Sequence, residues 1–263
     1  MVGKTTNSGL THANLLRADE ARGKSIERLA SGKRVSKGSD DPAALAMVMA
    51  FESQTRGLIQ QIGNRQDEIS MLQTAEGALS SLTDMVQRIN ELSVQAANGT
   101  LTDSDRSNIQ SEIDQLTAQI DQTAGSTTYN GKNLLDGSMK VNLQSGDTFT
   151  QPAANSTALR INNLSLNSVA AAGQAVTMAS QALSELSSQR GSIGAAVNGI
   201  SGQVSGLQNE LVNVTAAQSR IEDVDMAAEL INLSIAELQS KFAVQAFKVN
   251  DEMRQTVLNL IND

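Results

Sequence analysis

The sequence contains no cysteine, no tryptophan and a single histidine among its 263 residues. Without cysteine the chain cannot form disulfides, thiolate metal sites or a cysteine nucleophile. His12 alone cannot supply a histidine-dependent triad or a multi-histidine metal centre. A phosphate-binding loop of the Gly-x-x-x-x-Gly-Lys-Ser/Thr type is also missing. We therefore expect no catalytic residues, no cofactor and no metal, and a protein that is not an enzyme.

Aromatic side chains are scarce, at 2% of the chain, although hydrophobic residues make up 40%. Sheet sandwiches, and sites that stack bases or sugars, depend on aromatic rings, so both are disfavoured. An interior of Leu, Ile, Val, Ala and Met suits slender helical bundles instead.

The charge and the hydropathy argue against two classes of partner. The net charge is −8, whereas binding to nucleic-acid phosphates needs a basic surface. No apolar run approaches the roughly 18 residues of a membrane-spanning helix. Residues 1–10 also lack the basic and apolar regions of a cleaved signal peptide. We expect no nucleic-acid binding, no membrane insertion and no signal cleavage.

Apolar residues recur at alternating spacings of three and four in long stretches of the chain. This pattern is typical of helices that bury one face against another helix over many turns. We predict polymer or coiled-coil contacts at Ile200, Val204, Leu207, Leu211 and Val214 on one helix, and at Ile231, Ile235, Leu238 and Phe242 on the next.

Capping residues indicate where the first long helix begins. Asp40 and Asp41 stand directly before Pro42, where N-cap oxygens and a first-turn proline are expected. This position favours capping over a pair of catalytic carboxylates. The apolar pattern then continues for about fifty residues, far beyond an ordinary globular helix, to a stop at Asn98-Gly99.

A second helix follows directly. Thr102 and Asp105 have the spacing of a capping box, and the helix should end at Gly125. Because the connection between the two helices is short, we expect them to fold back on one another as an antiparallel hairpin.

The middle of the chain is rich in turn residues. Asn130-Gly131 and Asp136-Gly137 mark turns. Residues 139–143 alternate between apolar and polar, and a turn at 145–147 and a return at 148–150 complete a small predicted β-hairpin. We also predict an extended segment at 158–166.

A third long helix should run from about residue 175 into the 220s, and a last one from a cap at Asp225 to about residue 261. The third carries glycines at 191, 194, 199, 202 and 206, each costing about 1 kcal/mol relative to alanine. Either a neighbour approaches the backbone closely at these positions or the segment must bend. The first reason is the commoner one.

Glu222, Asp223 and Asp225 form an acidic cluster that could in principle hold a hard cation. No Asp-x-Asp-x-Asp-Gly loop surrounds them. A role in capping and in the hinge between two helices is therefore favoured.

Several stretches are specific enough to indicate a family. They are Arg28-Leu-Ala-Ser-Gly-Lys-Arg-Val, Ser39-Asp-Asp-Pro-Ala, Ile69-Ser-Met-Leu-Gln-Thr-Ala-Glu-Gly-Ala-Leu, Ile89-Asn-Glu-Leu-Ser-Val-Gln-Ala-Ala-Asn-Gly-Thr, Tyr129-Asn-Gly-Lys-Asn-Leu-Leu-Asp-Gly and Ser219-Arg-Ile-Glu-Asp-Val-Asp-Met-Ala. Together they resemble bacterial flagellins over residues 15–138 and 176–261. Residues 1–12 depart from the usual start of the family, and Gly199 stands where Arg is usual.

The resemblance implies a mainly α fold: a long antiparallel or parallel helical coiled-coil bundle formed by both chain termini, with a small β-hairpin insert in the middle. Residues 1–37 with 227–263 would form an inner coiled coil of terminal helices. Residues 38–138 with 176–226 would form a helical rod domain, and 139–175 a small β-rich outer insert.

The resemblance also implies a structural subunit that polymerises helically into the extracellular flagellar filament for swimming motility. Family partners are other copies of the chain, the flagellar cap, the hook-junction proteins and an export chaperone. Export would proceed without a cleaved signal peptide. A hook–filament junction protein is the nearer alternative, and a secreted coiled-coil effector or adhesin the more distant one.

One binding site is implied residue by residue. In flagellins sensed by an innate immune receptor, an Arg, a Leu and a Glu of the hairpin face map to Arg88, Leu92 and Glu112. Asn90 stands where many members have a second basic residue. Recognition by this receptor is therefore a hypothesis.

Overall fold

The computed structural model describes residues 2–142 and 148–262. This part of the chain forms the helices α1 (Val2–Ser31), α2 (Pro42–Ala96), α3 (Asp103–Ser126), α4 (Val169–Glu222) and α5 (Met226–Asn262), and the short strands β1 (Thr128–Tyr129), β2 (Lys132–Asn133), β3 (Lys140–Asn142) and β4 (Thr148–Thr150). The predicted fold class, mainly α with a small β-hairpin insert, is confirmed.

The chain divides into two compact units. One contains residues 1–57 and 211–263, and the other contains residues 58–210. These boundaries fall inside α2 and α4, so each of these helices contributes to both units. They differ from the three-part division that the resemblance implies, which remains a prediction about the assembled protein.

The unit of residues 58–210 has a continuous apolar core. It joins buried side chains of α2, α3 and α4 with Leu134 and Leu135, which precede the insert of residues 139–175, and with side chains of the insert itself, among them Val141, Leu159 and Ile161. The insert therefore has no separate interior, because its apolar residues complete the core of the helices.

The predicted helix starts are confirmed by their capping bonds. An Asp41 side-chain oxygen accepts from the amides of Ala43 and Ala44 at 3.0 and 2.9 Å. An Asp225 oxygen likewise accepts from the amides of Ala227 and Ala228 at 3.0 and 3.1 Å. Both carboxylates satisfy amides that have no partner inside the helix.

The start of α3 is a complete capping box. The Thr102 hydroxyl accepts from the Asp105 amide at 3.2 Å, and the Asp105 carboxylate accepts from the Thr102 amide at 3.0 Å. The Asp105 carboxylate also accepts a hydrogen bond from the Thr102 hydroxyl at 2.6 Å. These bonds favour the ionised carboxylate and lower the pKa of Asp105.

Two antiparallel strand pairs occur in the middle of the chain. Lys140–Asn142 pairs with Thr148–Thr150, which confirms the predicted hairpin, although its turn at 145–147 lies outside the described residues. Thr128–Tyr129 pairs with Lys132–Asn133 around the predicted turn at Asn130-Gly131. Both turn residues have positive φ, of 49° and 75°, as a tight two-residue hairpin requires.

The prediction of an extended segment at 158–166 is wrong, because the chain forms turns and no strand there. Side chains of α3 hold this segment in place of a neighbouring strand. The Asp121 carboxylate accepts from the amide and the hydroxyl of Ser156 at 2.7 and 2.8 Å. The Gln110 amide group donates to the Leu164 carbonyl and accepts from the Leu166 amide, each at 2.9 Å.

Helix α4 begins at Val169, earlier than the predicted start near residue 175, and continues through all five glycines. Apart from the adjoining residues and backbone of α4 itself, a Cβ atom built on any of Gly191, Gly194, Gly199, Gly202 or Gly206 would meet no atom of the described residues within 4 Å. The close neighbour expected from the sequence is therefore not supplied by the residues that the structure describes.

None of the described helices carries an apolar stretch of the length and hydropathy that crossing a membrane requires.

The capping box of α3 should contribute measurably to stability. We expect Thr102→Ala to lower the free energy of unfolding by about 1 kcal/mol, because it leaves helix amides without a partner. Urea unfolding followed by circular dichroism measures this change. Ser111→Ala on the same helix is the control, since its hydroxyl only donates to the Ser107 carbonyl. Equal stability of the two variants would contradict the assignment.

Candidate assembly surface

The connection after α1 pairs with the connection between α4 and α5. We call the contacts between Gly32–Val35 and Ile221–Val224 the clasp. The Val224 amide donates to the Gly32 carbonyl at 3.0 Å, and the Arg34 amide donates to the Glu222 carbonyl at 2.6 Å. An isolated antiparallel bridge joins Lys33 to Asp223 between these bonds. The clasp therefore fixes the end of α1 next to the start of α5.

Side chains reinforce the clasp. The Lys33 ammonium forms an ion pair with the Glu222 carboxylate, which also accepts from the Gln218 side chain at 2.7 Å. The Arg34 guanidinium donates to the Ile221 carbonyl at 2.6 Å. The hydrogen bond from Lys33, followed by that from Gln218, lowers the pKa of Glu222, and Glu222 in turn raises the pKa of Lys33.

The acidic residues at this connection are already engaged by protein groups. Glu222 binds Lys33 and Gln218, Asp223 accepts from the Ser219 hydroxyl, and Asp225 caps α5. Among the described residues, no group of three or more His, Cys, Asp or Glu side chains could hold a metal ion. These contacts support the cap-and-hinge interpretation over a cation site.

Beyond the clasp, α1 and α5 run antiparallel and pack closely. The Ser25 hydroxyl near the end of α1 donates to Glu229 near the start of α5 at 2.6 Å. Earlier on α1, Asp19 accepts from Ser240, further along α5, at 3.1 Å. Among the described helices, α1 and α5 are the only two whose backbones come within 8 Å of each other, measured between Cα atoms, at more than one or two positions.

The buried positions of this helix pair are small or polar. Among the described side chains of α1 and α5, those that are buried are Ala18, Ser25, Glu229, Ala236 and Ser240. Small side chains let the two backbones approach, and the polar ones find partners across the seam or beside it. Glu229 is 6% exposed and also lies 3.8 Å from the Arg28 guanidinium.

Large apolar side chains of the same two helices are exposed to solvent. Phe242 is the most exposed of them, at 70%. The others include Leu10, Leu16 and Ile26 on α1, and Leu230, Ile231, Ile235, Leu238, Phe247 and Met253 on α5. On α5 the spacings of four and three between Ile231, Ile235, Leu238 and Phe242 place these side chains on one face of the helix, and an exposed apolar face of this kind marks a site of protein–protein contact.

The sequence-predicted contact residues fall into two groups. On α4, Ile200 and Val214 are buried within the chain, and Val204, Leu207 and Leu211 are half-buried. On α5 the predicted stripe of Ile231, Ile235, Leu238 and Phe242 is exposed throughout. We call these four residues the outer stripe. Only the outer stripe is free to contact another molecule over its whole length.

The three residues of the receptor hypothesis are not equivalent in the structure. Arg88 donates from Nε and Nη2 to Glu112 Oε1 at 3.1 and 2.8 Å, and both side chains are exposed. Leu92 is only 2% exposed and belongs to the core. A partner approaching this face could therefore touch Arg88 and Glu112 but not the side chain of Leu92.

Two family models match the chain. Residues 4–140 match the bacterial flagellin N-terminal helical region, and residues 176–261 match the bacterial flagellin C-terminal helical region.

Individual proteins give the same result. Flagellin FlaB2 of Treponema pallidum is 33% identical over 261 residues, covering 90% of this chain and 91% of the relative. A flagellin of Bacillus subtilis is 33% identical over 284 residues, covering 92% and 93%. The crystal structure of Bacillus cereus flagellin matches with a TM-score of 0.50 and 30% identity, covering 59% of this chain and 94% of that one.

The clasp should depend on pH through Glu222 and Lys33. Because the pKa of Glu222 is lowered, its contribution to stability is present above the ordinary value of 4.5 and is lost as the pH falls through the lowered value. The pKa of Lys33 is raised, so its contribution is present below the ordinary 10.5 and is lost as the pH rises through the raised value.

We expect Glu222→Gln to remove the acid-side dependence, measured as hydrogen-exchange protection of the Arg34 and Val224 amides against pH. Glu237→Gln, an exposed glutamate on α5, is the control. Identical pH profiles for the Glu222 variant and the wild type would rule out this ion pair as the cause.

Proposed function

The chain belongs to the bacterial flagellin family, and from that premise we propose which of its surfaces build the filament. As a flagellin it is a structural subunit of the extracellular flagellar filament, which serves swimming motility. Likeness to flagellins of Treponema pallidum and Bacillus subtilis over nine-tenths or more of both chains disfavours the hook-junction and the effector or adhesin alternatives.

The observation that carries the proposal is the exposure of the outer stripe. Its four large apolar side chains have no partner surface within the described chain, although the helix that bears them is packed against α1 on another face. Burial of such side chains is favourable by roughly 1.5–3 kcal/mol each. A second copy of the chain that covers the outer stripe would gain this free energy at every step of polymerisation.

A filament also requires that the contacting surfaces differ. When one patch binds a different patch on the next copy, the contacts do not close and the assembly grows without limit. In our proposal the outer stripe of α5 binds a different surface of its neighbour. The exposed apolar residues of α1, Leu10, Leu16 and Ile26, belong to the same assembly region.

The predicted contact residues of α4 have a different role in this proposal. Ile200 and Val214 are buried inside the subunit, so they hold the subunit together. The half-buried Val204, Leu207 and Leu211 could serve both the subunit and the polymer.

We also retain the three-part division of the assembled subunit. The clasp supports its inner boundary, because residues 32–35 and 221–224 lie directly beside the limits at 37/38 and 226/227. The terminal helices would then form the inner layer, residues 38–138 and 176–226 the surrounding rod, and residues 139–175 the outer insert.

Several partners follow from membership of the family. An exposed apolar helix such as α5 needs protection before assembly, which supports an export chaperone as its partner inside the cell. The flagellar cap and the hook-junction proteins would bind the growing and the basal ends of the filament. We propose export without a cleaved signal peptide, as the likeness to the family implies.

The innate-receptor site is proposed in a reduced form. Arg88 and Glu112 present an exposed ion pair on adjacent helices, and Glu91 extends it at 3.4 Å from Arg88. Leu92 would support the position of these residues from within the core rather than touch the receptor.

The outer stripe can be tested by replacing its most exposed side chain. We expect Phe242→Ser to remove about 2 kcal/mol of contact free energy per subunit, which raises the critical concentration for polymerisation roughly thirtyfold. Sedimentation and electron microscopy of seeded filaments measure it.

Gln239→Ser on the same helix is the matched control, since it replaces an exposed polar residue. Filaments that form equally well from both variants would refute the proposed contact surface. A wild-type chain that forms no helical tubes would refute the polymer itself.

The receptor proposal is tested with soluble monomer on reporter cells. We expect a response that Arg88→Ala reduces at least about tenfold, because hot-spot arginines commonly contribute that much to an interface. Arg56→Ala, which breaks another exposed ion pair on α2, is the control. No response to the wild-type monomer would remove the receptor from the list of partners.

A further inference from the structure

Arg160 has a backbone conformation that is unusual for its residue type. Its φ angle is 59°, in the left-handed region. A residue with a Cβ atom is disfavoured there, and only glycine, and to a lesser degree asparagine, adopts this conformation routinely. Among the described residues other than glycine, only Asn130 shares a positive φ, and its tight hairpin turn accounts for it.

The turn that contains Arg160 requires this conformation. The Ile161 amide donates to the Ser156 carbonyl at 2.9 Å, and the Arg160 amide donates to the Thr157 carbonyl at 3.2 Å. These two bonds form a Schellman motif, in which the residue at the position of Arg160 is left-handed and is usually glycine. An arginine at this position therefore destabilises the turn relative to glycine.

The core fixes the direction of the chain on both sides of Arg160. Leu159 and Ile161 are buried, at 3% and 1% exposure, and Ser156 is held by its two bonds to Asp121. Arg160 itself is exposed, and its side chain forms no ion pair or hydrogen bond with the described residues. No polar contact within the described part of the chain offsets the backbone cost of the arginine.

The unit of residues 58–210 is acidic, with seven Lys or Arg against fourteen Asp or Glu, a balance of −7. Four of the seven cations lie within 3.8 Å of a carboxylate, namely Arg65, Arg88, Arg106 and Arg190. Lys132, Lys140 and Arg160 have no ion pair among the described residues. Of these three, only Arg160 stands where its residue type carries a backbone cost.

An exposed and unpaired cation suits a contact between copies of this unit. Acidic copies repel each other when a polymer brings them side by side, and a cation that binds a carboxylate of the next copy reduces this repulsion. The planar guanidinium can bind both carboxylate oxygens at once. The unit also offers acceptors, because Asp67 and Asp84 on α2 are exposed and have no ion pair or hydrogen bond among the described residues.

We propose that Arg160 is an assembly residue that binds a carboxylate of a second copy of the chain. This inference rests on the proposed function and adds a second contact surface to it. Arg160 lies in the unit of residues 58–210, whereas the outer stripe lies in the other unit. The arginine lowers the stability of the single subunit and raises that of the polymer.

Arg160→Gly separates these two effects in the full chain. It removes the backbone cost and the guanidinium together, so the urea midpoint of the monomer should rise, while the critical concentration for polymerisation should rise about threefold. Arg160→Lys keeps the charge and the cost, and its critical concentration should stay closer to that of the wild type. The difference between Arg160→Gly and wild type should vanish between about 0.01 M and about 1 M salt, as the Debye length falls from about 30 Å to about 3 Å.

Lys140→Gln is the matched control, because it removes an exposed, unpaired cation of the same insert from ordinary strand backbone. Its urea midpoint and critical concentration should stay close to those of the wild type. An equal rise in critical concentration for Lys140→Gln and Arg160→Gly would overturn the proposal, since net charge would then explain both. An unchanged critical concentration for Arg160→Gly overturns it too, and so does a lower urea midpoint, because the arginine would then hold its own subunit together.

The contact itself can be detected in filaments of the Arg160→Lys chain. Filaments are grown from an equal mixture of isotope-labelled and unlabelled copies and treated with a carbodiimide, which joins an amine directly to a carboxylate that it touches. We expect mass spectrometry to find peptides that link position 160 of one isotopic form to an Asp or Glu of the other, and none from monomer. Links at position 160 confined to one isotopic form would contradict the proposal.

Failure of the proposed function gives a different result. It appears as absence of tubes from the wild-type chain, or as normal filaments from Phe242→Ser. If Arg160→Gly polymerises like the wild type while Phe242→Ser does not, the proposed function stands and only the role of Arg160 fails.

Discussion

The clasp is the constraint on which the unit of residues 1–57 and 211–263 depends. A few backbone bonds between Gly32–Val35 and Ile221–Val224 bring together two segments that are nearly two hundred residues apart in sequence. Once they are joined, α1 and α5 must leave the same point side by side, and an antiparallel pair follows. Gly32 has a positive φ of 70°, which lets α1 stop and the chain turn into the clasp. The ion pair of Lys33 with Glu222 then closes the junction with side chains.

The helix pair that leaves the clasp is built in an unusual way. Most coiled-coil pairs bury their large apolar residues and expose their polar ones. Here the positions that face the partner helix are Ala18, Ser25, Glu229, Ala236 and Ser240, and the large apolar residues face outward. This arrangement is reasonable for a subunit whose stability is completed by its neighbours, because the free energy of burial is then gained on assembly rather than on folding.

The sequence predicted well those features that depend on neighbouring residues. The caps at Asp41, Thr102 and Asp225 were predictable because each bonds within its own first turn. Strand β1 was missed although Asn130-Gly131 is a strong hairpin signal, since strands of two residues leave no alternation to detect. The prediction of an extended segment at 158–166 was wrong because Gln110 and Asp121 determine the path of the chain there, and both lie on α3, far away in sequence. The sequence also could not show that the outer stripe faces away from α1. Periodicity shows that an apolar stripe exists, but not whether it packs on the neighbouring helix or is exposed. The same limit applies to Leu92, because the resemblance gives the type of the residue but not its burial in the core.

The shared core of the insert and the helices has a consequence for protein engineering. Val141, Leu159 and Ile161 of the insert fill the same interior as the buried side chains of α2, α3 and α4, so removing the insert as a block would leave a cavity among these helices. Foreign peptides displayed on such a filament should therefore be joined next to Asn142 or Thr148, the ends of β3 and β4, because both side chains are exposed and neither belongs to the apolar core.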